Sequence, residues 1–290
     1  MSAKMGGILP YFGAKRALAP QIVAQLGPHI SYWEIFCGSM AVLLAKPPCQ
    51  VETVNDAYGE LVNLARVIRD PAAGAQFYRR IRRALCSESL RADAVAAQWT
   101  RAPDTPGELN VSRAELFFLA SWQGVNGLAG TRTRKQGFAA RFTAGGGSGA
   151  VRWNSAVESV PAWRRRLRNV GILQRDGVAL AGRITDEPGT VVYADPPYVE
   201  KGAAYVHDFD LADHARLATA LSRFRYARVL TSYYDNPQIR KLYAGWTILE
   251  LSGRRKLAVS PKEREAAPEI LLVNGPAISG GSPLFSAEAS

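Results

Sequence analysis

From Val191 to Tyr198 the chain reads Val-Val-Tyr-Ala-Asp-Pro-Pro-Tyr, and this octapeptide constrains the fold more than any other stretch. The four residues up to Ala194 form an apolar run of the kind found in a buried strand. Two prolines end it, each fixing φ near about −65° and lacking an N–H donor. The carbonyls of Asp195 and Pro196 therefore sit in a rigid, acceptor-rich loop at a strand's carboxyl end. An aromatic amino group has its lone pair delocalised into its ring. A carboxylate and a backbone carbonyl accepting its two hydrogens would draw that nitrogen toward a tetrahedral, nucleophilic state. Tyr198 would then stack on the ring that carries the amino group.

The pattern around this loop is α/β. Helix-like periodicity over 17–26, an apolar β-prone run over 31–36, a helical stretch over 41–45 and an extended one over 51–54 form a βαβ arrangement. From 58 to 122 the pattern is mostly helical, with Ser112 and Glu115 predicted as a capping box ahead of 116–119. A glycine-rich loop fills 131–149. Alternation returns after Val170, with strands expected at 191–194, 229–232, 247–251 and 270–273 and a helix over 211–224. The last residues, 275–290, are small and polar and read as a tail. At 290 residues, 47% hydrophobic and 21% charged, the chain is long enough for one large domain carrying an insertion.

Charge is unevenly placed. The chain carries 36 Lys and Arg against 25 Asp and Glu, a net +11. Ten basic residues and only Glu158 as an acid lie between Thr131 and Arg175, and the rest of the chain is close to neutral. Interleaved with Phe138, Phe142, Trp153 and Trp163, this segment has the composition of a surface that holds phosphates and bases. Cys37, Cys49 and Cys86 are an odd number without CxxC spacing, so neither a disulfide framework nor a zinc site is indicated. His29, His207 and His214 share no metal-ligand spacing. No apolar run approaches the ~20 residues of a membrane span, and the start shows no charged-then-apolar leader. These features point to a cytoplasmic protein in a reducing compartment with no membrane partner and no metal.

Glu34 to Ser39 closes one predicted strand and opens a helix, with Gly38 giving room for close backbone approach. Asp56 ends the next strand, near the ~20-residue offset at which an acid meets a nucleotide's ribose in βαβ folds. The GxGxxG and P-loop spacings are absent, which disfavours a pyrophosphate-bearing cofactor.

The order Tyr11-Phe12-Gly13-Ala14-Lys15, Glu34 to Gly38, Asn55-Asp56 and Asp195-Pro196-Pro197-Tyr198 resembles the Dam-type DNA adenine-N6 methyltransferases. Similarity extends over most of the chain from Tyr11 to about Gly275. The resemblance implies a Rossmann-like class I methyltransferase sheet, residues 1–66 with 171–275. An inserted, mostly helical target-recognition domain at 67–170 and a flexible tail at 276–290 complete the expected organisation. It implies S-adenosyl-L-methionine as cofactor, with Tyr11, Gly13 and Lys15 at its methionine end and Glu34, Phe36 and Gly38 in the loop beneath it. Asp56 would hold the ribose and Asp176 would meet the adenine ring. Asp195, Pro196, Pro197 and Tyr198 would receive a flipped-out adenine of double-stranded DNA. Asn126, Arg132, Arg134, Lys135, Arg254 and Arg255 would face the DNA. The oligomeric state stays open.

Four places depart from the family pattern. Ile35 stands where proline is usual, Ser39 replaces a second loop glycine, Gly177 replaces the phenylalanine after the third-motif acid, and Ala139-Ala140-Arg141 stands where Asn-Val-Pro often follows in the DNA-reading loop. Two alternatives therefore accompany the reading: a DNA-binding protein whose catalytic scaffold has lapsed, and N-methylation of RNA or of a protein amide.

Overall fold

The computed structural model of the chain describes residues 6–11, 13, 15–100, 108–124, 137–140, 148–199, 209–251 and 268–278. Seven strands form one sheet: β1 Ser31–Glu34, β2 Val51–Asn55, β3 Val170–Leu173, β4 Thr190–Ala194, β5 Arg228–Tyr234, β6 Thr247–Leu251 and β7 Glu269–Val273. Their order is β3-β2-β1-β4-β5-β7-β6. β1 to β5 are parallel neighbours, and β7 runs antiparallel between β5 and β6. The order reverses between β1 and β4, which makes the crevice beyond their carboxyl ends the place where open α/β sheets bind ligands.

The apolar runs of the central strands follow from burial on both faces. In β4, Val191 and Tyr193 pack into one core and Val192 and Ala194 into the other. Leu271 and Ile270 of β7 divide in the same way. On the first face lie α1 Ala19–Ala24, α2 Ala41–Ala45 and α3 Gly59–Arg69. On the second lie α8 Gly177–Ala181, α9 Leu211–Ser222 and α10 Pro237–Leu242.

Between α3 and β3 run α4 Pro71–Arg83, α5 Glu88–Thr100, α6 Val111–Trp122 and α7 Gly149–Leu167. The first-face core continues into these helices without a break, through Phe77, Phe118, Trp153 and Trp163. Trp153 and Trp163 are 1% and 2% exposed, and Phe118 packs against both. The sequence reading of these two tryptophans as base-holding aromatics is therefore corrected: they are core, and their position in a basic segment reflects the opposite face of an amphipathic helix. Two of that segment's arginines also turn inward. Arg152 donates to the carbonyls of Trp122 and Gly124, and Arg166 pairs with Glu52 of β2.

Two local expectations change. α6 is capped by Asn110, whose side chain accepts the Arg113 N–H, and the predicted partners Ser112 and Glu115 both meet Arg80 of α4 instead. A tertiary partner has taken the side chains that the local pattern assigned to the backbone. The start of the expected tail is also tied down: Ile278 exchanges two hydrogen bonds with the Gln25 side chain. The N-terminal segment crosses the helices as a strap, with Trp122 and Trp163 donating to the carbonyls of Ile8 and Gly6.

Candidate active site

The loops leaving β1, β2, β3 and β4 open on one edge of the sheet, and they carry most of the expected site residues in two clusters. The first centres on Asp195, whose side chain is 19% exposed. Its Oδ1 receives Lys15 Nζ at 2.8 Å, Ser232 Oγ at 2.8 Å and Tyr198 OH at 3.3 Å. Ser232 stands on the neighbouring strand β5, and its hydroxyl also meets Tyr193 OH at 2.9 Å. Among the described residues nothing bonds Oδ2. Pro196 is buried and Pro197 half-buried, so the loop is fixed by packing as well as by its rings.

Lys15 lies between two carboxylates. Its ammonium is 3.0 Å from Glu269 Oε1 at the start of β7, donates to the Gly13 carbonyl at 2.9 Å, and sits 4.8 Å from the centre of the Tyr198 ring. Glu269 also accepts the Tyr198 hydroxyl. Burial alone would lower the Lys15 pKa, but Asp195 and Glu269 outweigh it and hold the ammonium above its ordinary value. Burial raises Asp195, Lys15 draws it down, and Glu269 pushes it up, leaving it above the usual carboxylate value. Tyr198 is 6% exposed and stands edge-on to Tyr234 at 4.6 Å. With Lys15 beside its ring, Tyr198 is already covered in this conformation.

The second cluster is built on Asp56. Its Oδ2 accepts the Gly38 N–H and its Oδ1 the Tyr58 N–H, each at 2.9 Å. Gly38 has φ of 44° and Met40 φ of 58°, so the loop from β1 to α2 turns through the left-handed region twice. The Tyr11 ring lies against Gly38, 3.3 Å from where a Cβ would stand. Asn55 ties this loop to the one after β3 by donating to the carbonyls of Ile35 and Arg175, and its own Oδ1 is buried without a partner among the described residues. Asp176 is exposed and caps α8 by accepting the Ala179 N–H at 2.7 Å. A strand-end carboxylate, an orphaned amide oxygen, a glycine-lined loop and the Phe36 ring make a setting suited to a nucleoside.

Glu34 has turned inward. Its Oε2 accepts Tyr32 OH at 2.9 Å and the Leu43 N–H at 3.0 Å, which caps α2 from the strand before it. Burial raises its pKa to about 8 against the pull of those two donors.

The departures at Ser39 and Gly177 are matched by their neighbours. A Cβ on Gly7 would stand 2.6 Å from Ser39 Oγ, so a missing side chain at Gly7 makes room for Ser39. A Cβ on Gly177 would stand 2.5 Å from the Phe36 Cζ, so the Phe36 ring fills the space above Gly177. Glu269 is the site residue that motif reading misses. Its only local signal is an acid opening the otherwise apolar run Ile270 to Val273.

The expected DNA-facing residues Asn126, Arg132, Arg134, Lys135, Arg254 and Arg255 lie outside the described residues. Among the described residues there is no His, Cys, Asp and Glu group able to hold a metal ion, and no helix long and apolar enough to cross a membrane.

The chain matches the family described as D12 class N6 adenine-specific DNA methyltransferase over residues 11–95 and 140–257. Over 91 residues it is 36% identical to the Retron Ec67 DNA adenine methylase of Escherichia coli. That stretch covers 30% of this chain and 32% of the relative, about a third of the relative's length. Among solved structures, the rRNA methyltransferase aviRa from Streptomyces viridochromogenes aligns over 88% of this chain and 81% of its own, at 14% identity and a TM-score of 0.37.

Proposed function

The chain belongs to the D12 class N6 adenine-specific DNA methyltransferases, and from that premise we propose that it methylates the N6 amino group of an adenine flipped out of double-stranded DNA. The observation that carries this reading is the one-sided bonding of Asp195. Lys15 and Ser232 donate to its Oδ1, with Tyr198 OH nearby at 3.3 Å, while among the described residues Oδ2 is left as an acceptor at the carboxyl end of β4. An amino group entering the pocket gives one hydrogen to Oδ2 and the other to the Pro196 carbonyl. The two bonds pull the lone pair out of the ring and aim it at the electrophile.

The Asp56 cluster would hold S-adenosyl-L-methionine: Asp56 at the ribose, Asp176 and Phe36 at the adenine, and Tyr11, Gly13 and Lys15 toward the methionine end. When bound there, it supplies an electrophilic methyl group on sulfur. Asp195 Oδ2 and the Pro196 carbonyl would hold the amino nitrogen with its lone pair turned toward that group, and the surplus proton on nitrogen would leave past Asp195 to water. No side chain becomes covalently attached. Lys15 draws Asp195 toward its charged form against the burial that opposes it, and Glu269 anchors Lys15 from the far side. Extruding the base costs a few kcal/mol, and stacking on Tyr198, worth ~1–3 kcal/mol, offsets part of it once the Lys15 ammonium shifts from the ring.

Calorimetry separates the two clusters. Wild type and Asp195→Ala should bind S-adenosyl-L-methionine with similar affinity. Asp56→Ala should bind it about tenfold more weakly or worse, the loss of a charged hydrogen-bonding partner being ~1.5–3 kcal/mol. Undiminished binding by Asp56→Ala would remove the cofactor from this cluster.

A further inference from the structure

Five arginines from the inserted helices and their borders converge on a groove that the proposed chemistry does not use. Arg69 ends α3, Arg79 lies on α4, Arg164 and Arg165 are in the last turn of α7, and Arg168 follows it. With Tyr78 they line a cavity of about 630 Å³. Its inner wall is apolar, with Val160 and Gly74 buried. A Cβ on Gly74 would stand 2.8 Å from the Ile68 carbonyl, so the glycine is what lets α4 close on the end of α3 and brings Arg79 near Arg69.

Among the described residues no Asp or Glu lines this groove. The adjoining Asp70 gives its carboxylate to the N–H groups of Ala72 and Ala73. Cations at helix C-termini stabilise the exposed carbonyls, and Arg69 is used in a similar way at a strand, with Nη1 2.8 Å from the Val170 carbonyl. Among the described residues no carboxylate pairs with Arg79, Arg164, Arg165 or Arg168. Arg166, between them in sequence, shows the contrast: it is buried on Glu52, which it shares with Lys46. Four guanidinium groups without a carboxylate partner among the described residues thus line one groove, and their planar donor forks match the oxygens of phosphate.

The groove is at the opposite pole from Asp195. Val170 opens β3 at the amino end of the parallel strands, whereas Asp195 follows the carboxyl end of β4, three strand positions away. Strand rise and spacing put the two on the order of 20 Å apart. A nucleic-acid strand advances ~3.4 Å per phosphate, so backbone lying here is at least about six nucleotides from the base in the pocket.

We propose that this groove is a second nucleic-acid site, holding phosphodiester backbone outside the segment that presents the target base. This goes beyond the methylation reading, because binding here needs neither cofactor nor turnover. The test is DNA binding without cofactor, as a function of salt, for wild type, for Arg164→Gln/Arg165→Gln/Arg168→Gln together and for Arg79→Gln alone. Lengthening the duplex from about one helical turn, ~10 base pairs, to several turns should steepen the wild-type salt dependence. The triple variant should not steepen. On the long duplex its slope should be shallower by ~0.9 for each phosphate that is no longer neutralised, and Arg79→Gln should change the slope by about one such step. All of these side chains are exposed or half-exposed, so unchanged melting curves will show that the fold is intact. Variants that steepen with length as wild type does would overturn the proposal. So would tight binding of inorganic triphosphate, abolished in the triple variant, with DNA slopes unchanged: that outcome makes this a small-anion site.

Discussion

Asp195 and Glu34 are two carboxyls at strand ends with opposite relations to the site. Asp195 has no bond to Oδ2 among the described residues, while Glu34 is 2% exposed and takes its hydrogen bonds from Tyr32 and Leu43 inside the protein. Glu34 therefore acts on stability. Its pKa in the fold is about 8 against 4.5 for the free side chain, so the folded protein binds this proton more tightly than the unfolded chain. That contribution is complete below pH 4.5 and is lost as pH rises toward 8, on the order of a few kcal/mol over the window. Glu34→Gln keeps an acceptor for Tyr32 and Leu43 without the titration. Thermal melts should show wild type losing stability from pH 4.5 to 8 relative to the variant, and parallel curves would contradict this account of Glu34. The acidic, proline and aromatic residues of the pocket are legible in the sequence because the chemistry needs them next to one another along the chain. Glu269 is not, because it reaches Lys15 only through the pairing of Tyr234 with Glu269 across β5 and β7, a register no local motif carries.

Elements show the same division between local and long-range information. The strand β4 is readable as an apolar run because burial on both faces selects one, and β1, β2 and the helix α2 are readable from the βαβ alternation around them. The cap of α6 is not, because Arg80, thirty-two residues before Ser112, competes for its hydroxyl. The glycine at 177 reads from sequence as a lost side chain, whereas in the fold it is one half of a fitted pair with Phe36. Gly177→Ala should push that ring aside and cost ~1–3 kcal/mol, the usual penalty of overpacking. Adding Phe36→Ala should recover part of the loss, and a double-mutant cycle in urea measures it. Strict additivity of the two substitutions would show that the residues do not share the space.

At the scale of the whole molecule, the sheet collects loops from separated parts of the sequence at one edge and leaves the opposite pole to the ends of α3 and α7. The basic segment read as one nucleic-acid footprint is divided by the fold into buried braces such as Arg166 and groove residues such as Arg165. Composition records the charge but not the direction each side chain faces. The organisation places the Asp56 cluster and the Asp195 pocket on the same edge of the sheet, and the central claim is that a methyl group passes between them onto adenine. Its most direct test is incubation of unmethylated DNA with the protein and S-adenosyl-L-methionine, followed by digestion to nucleosides and mass spectrometry, with Asp195→Ala in parallel. N6-methyladenine from the wild-type protein alone is the predicted result. Folded, cofactor-bound wild type that leaves the DNA unmethylated, or equal product from Asp195→Ala, would contradict it.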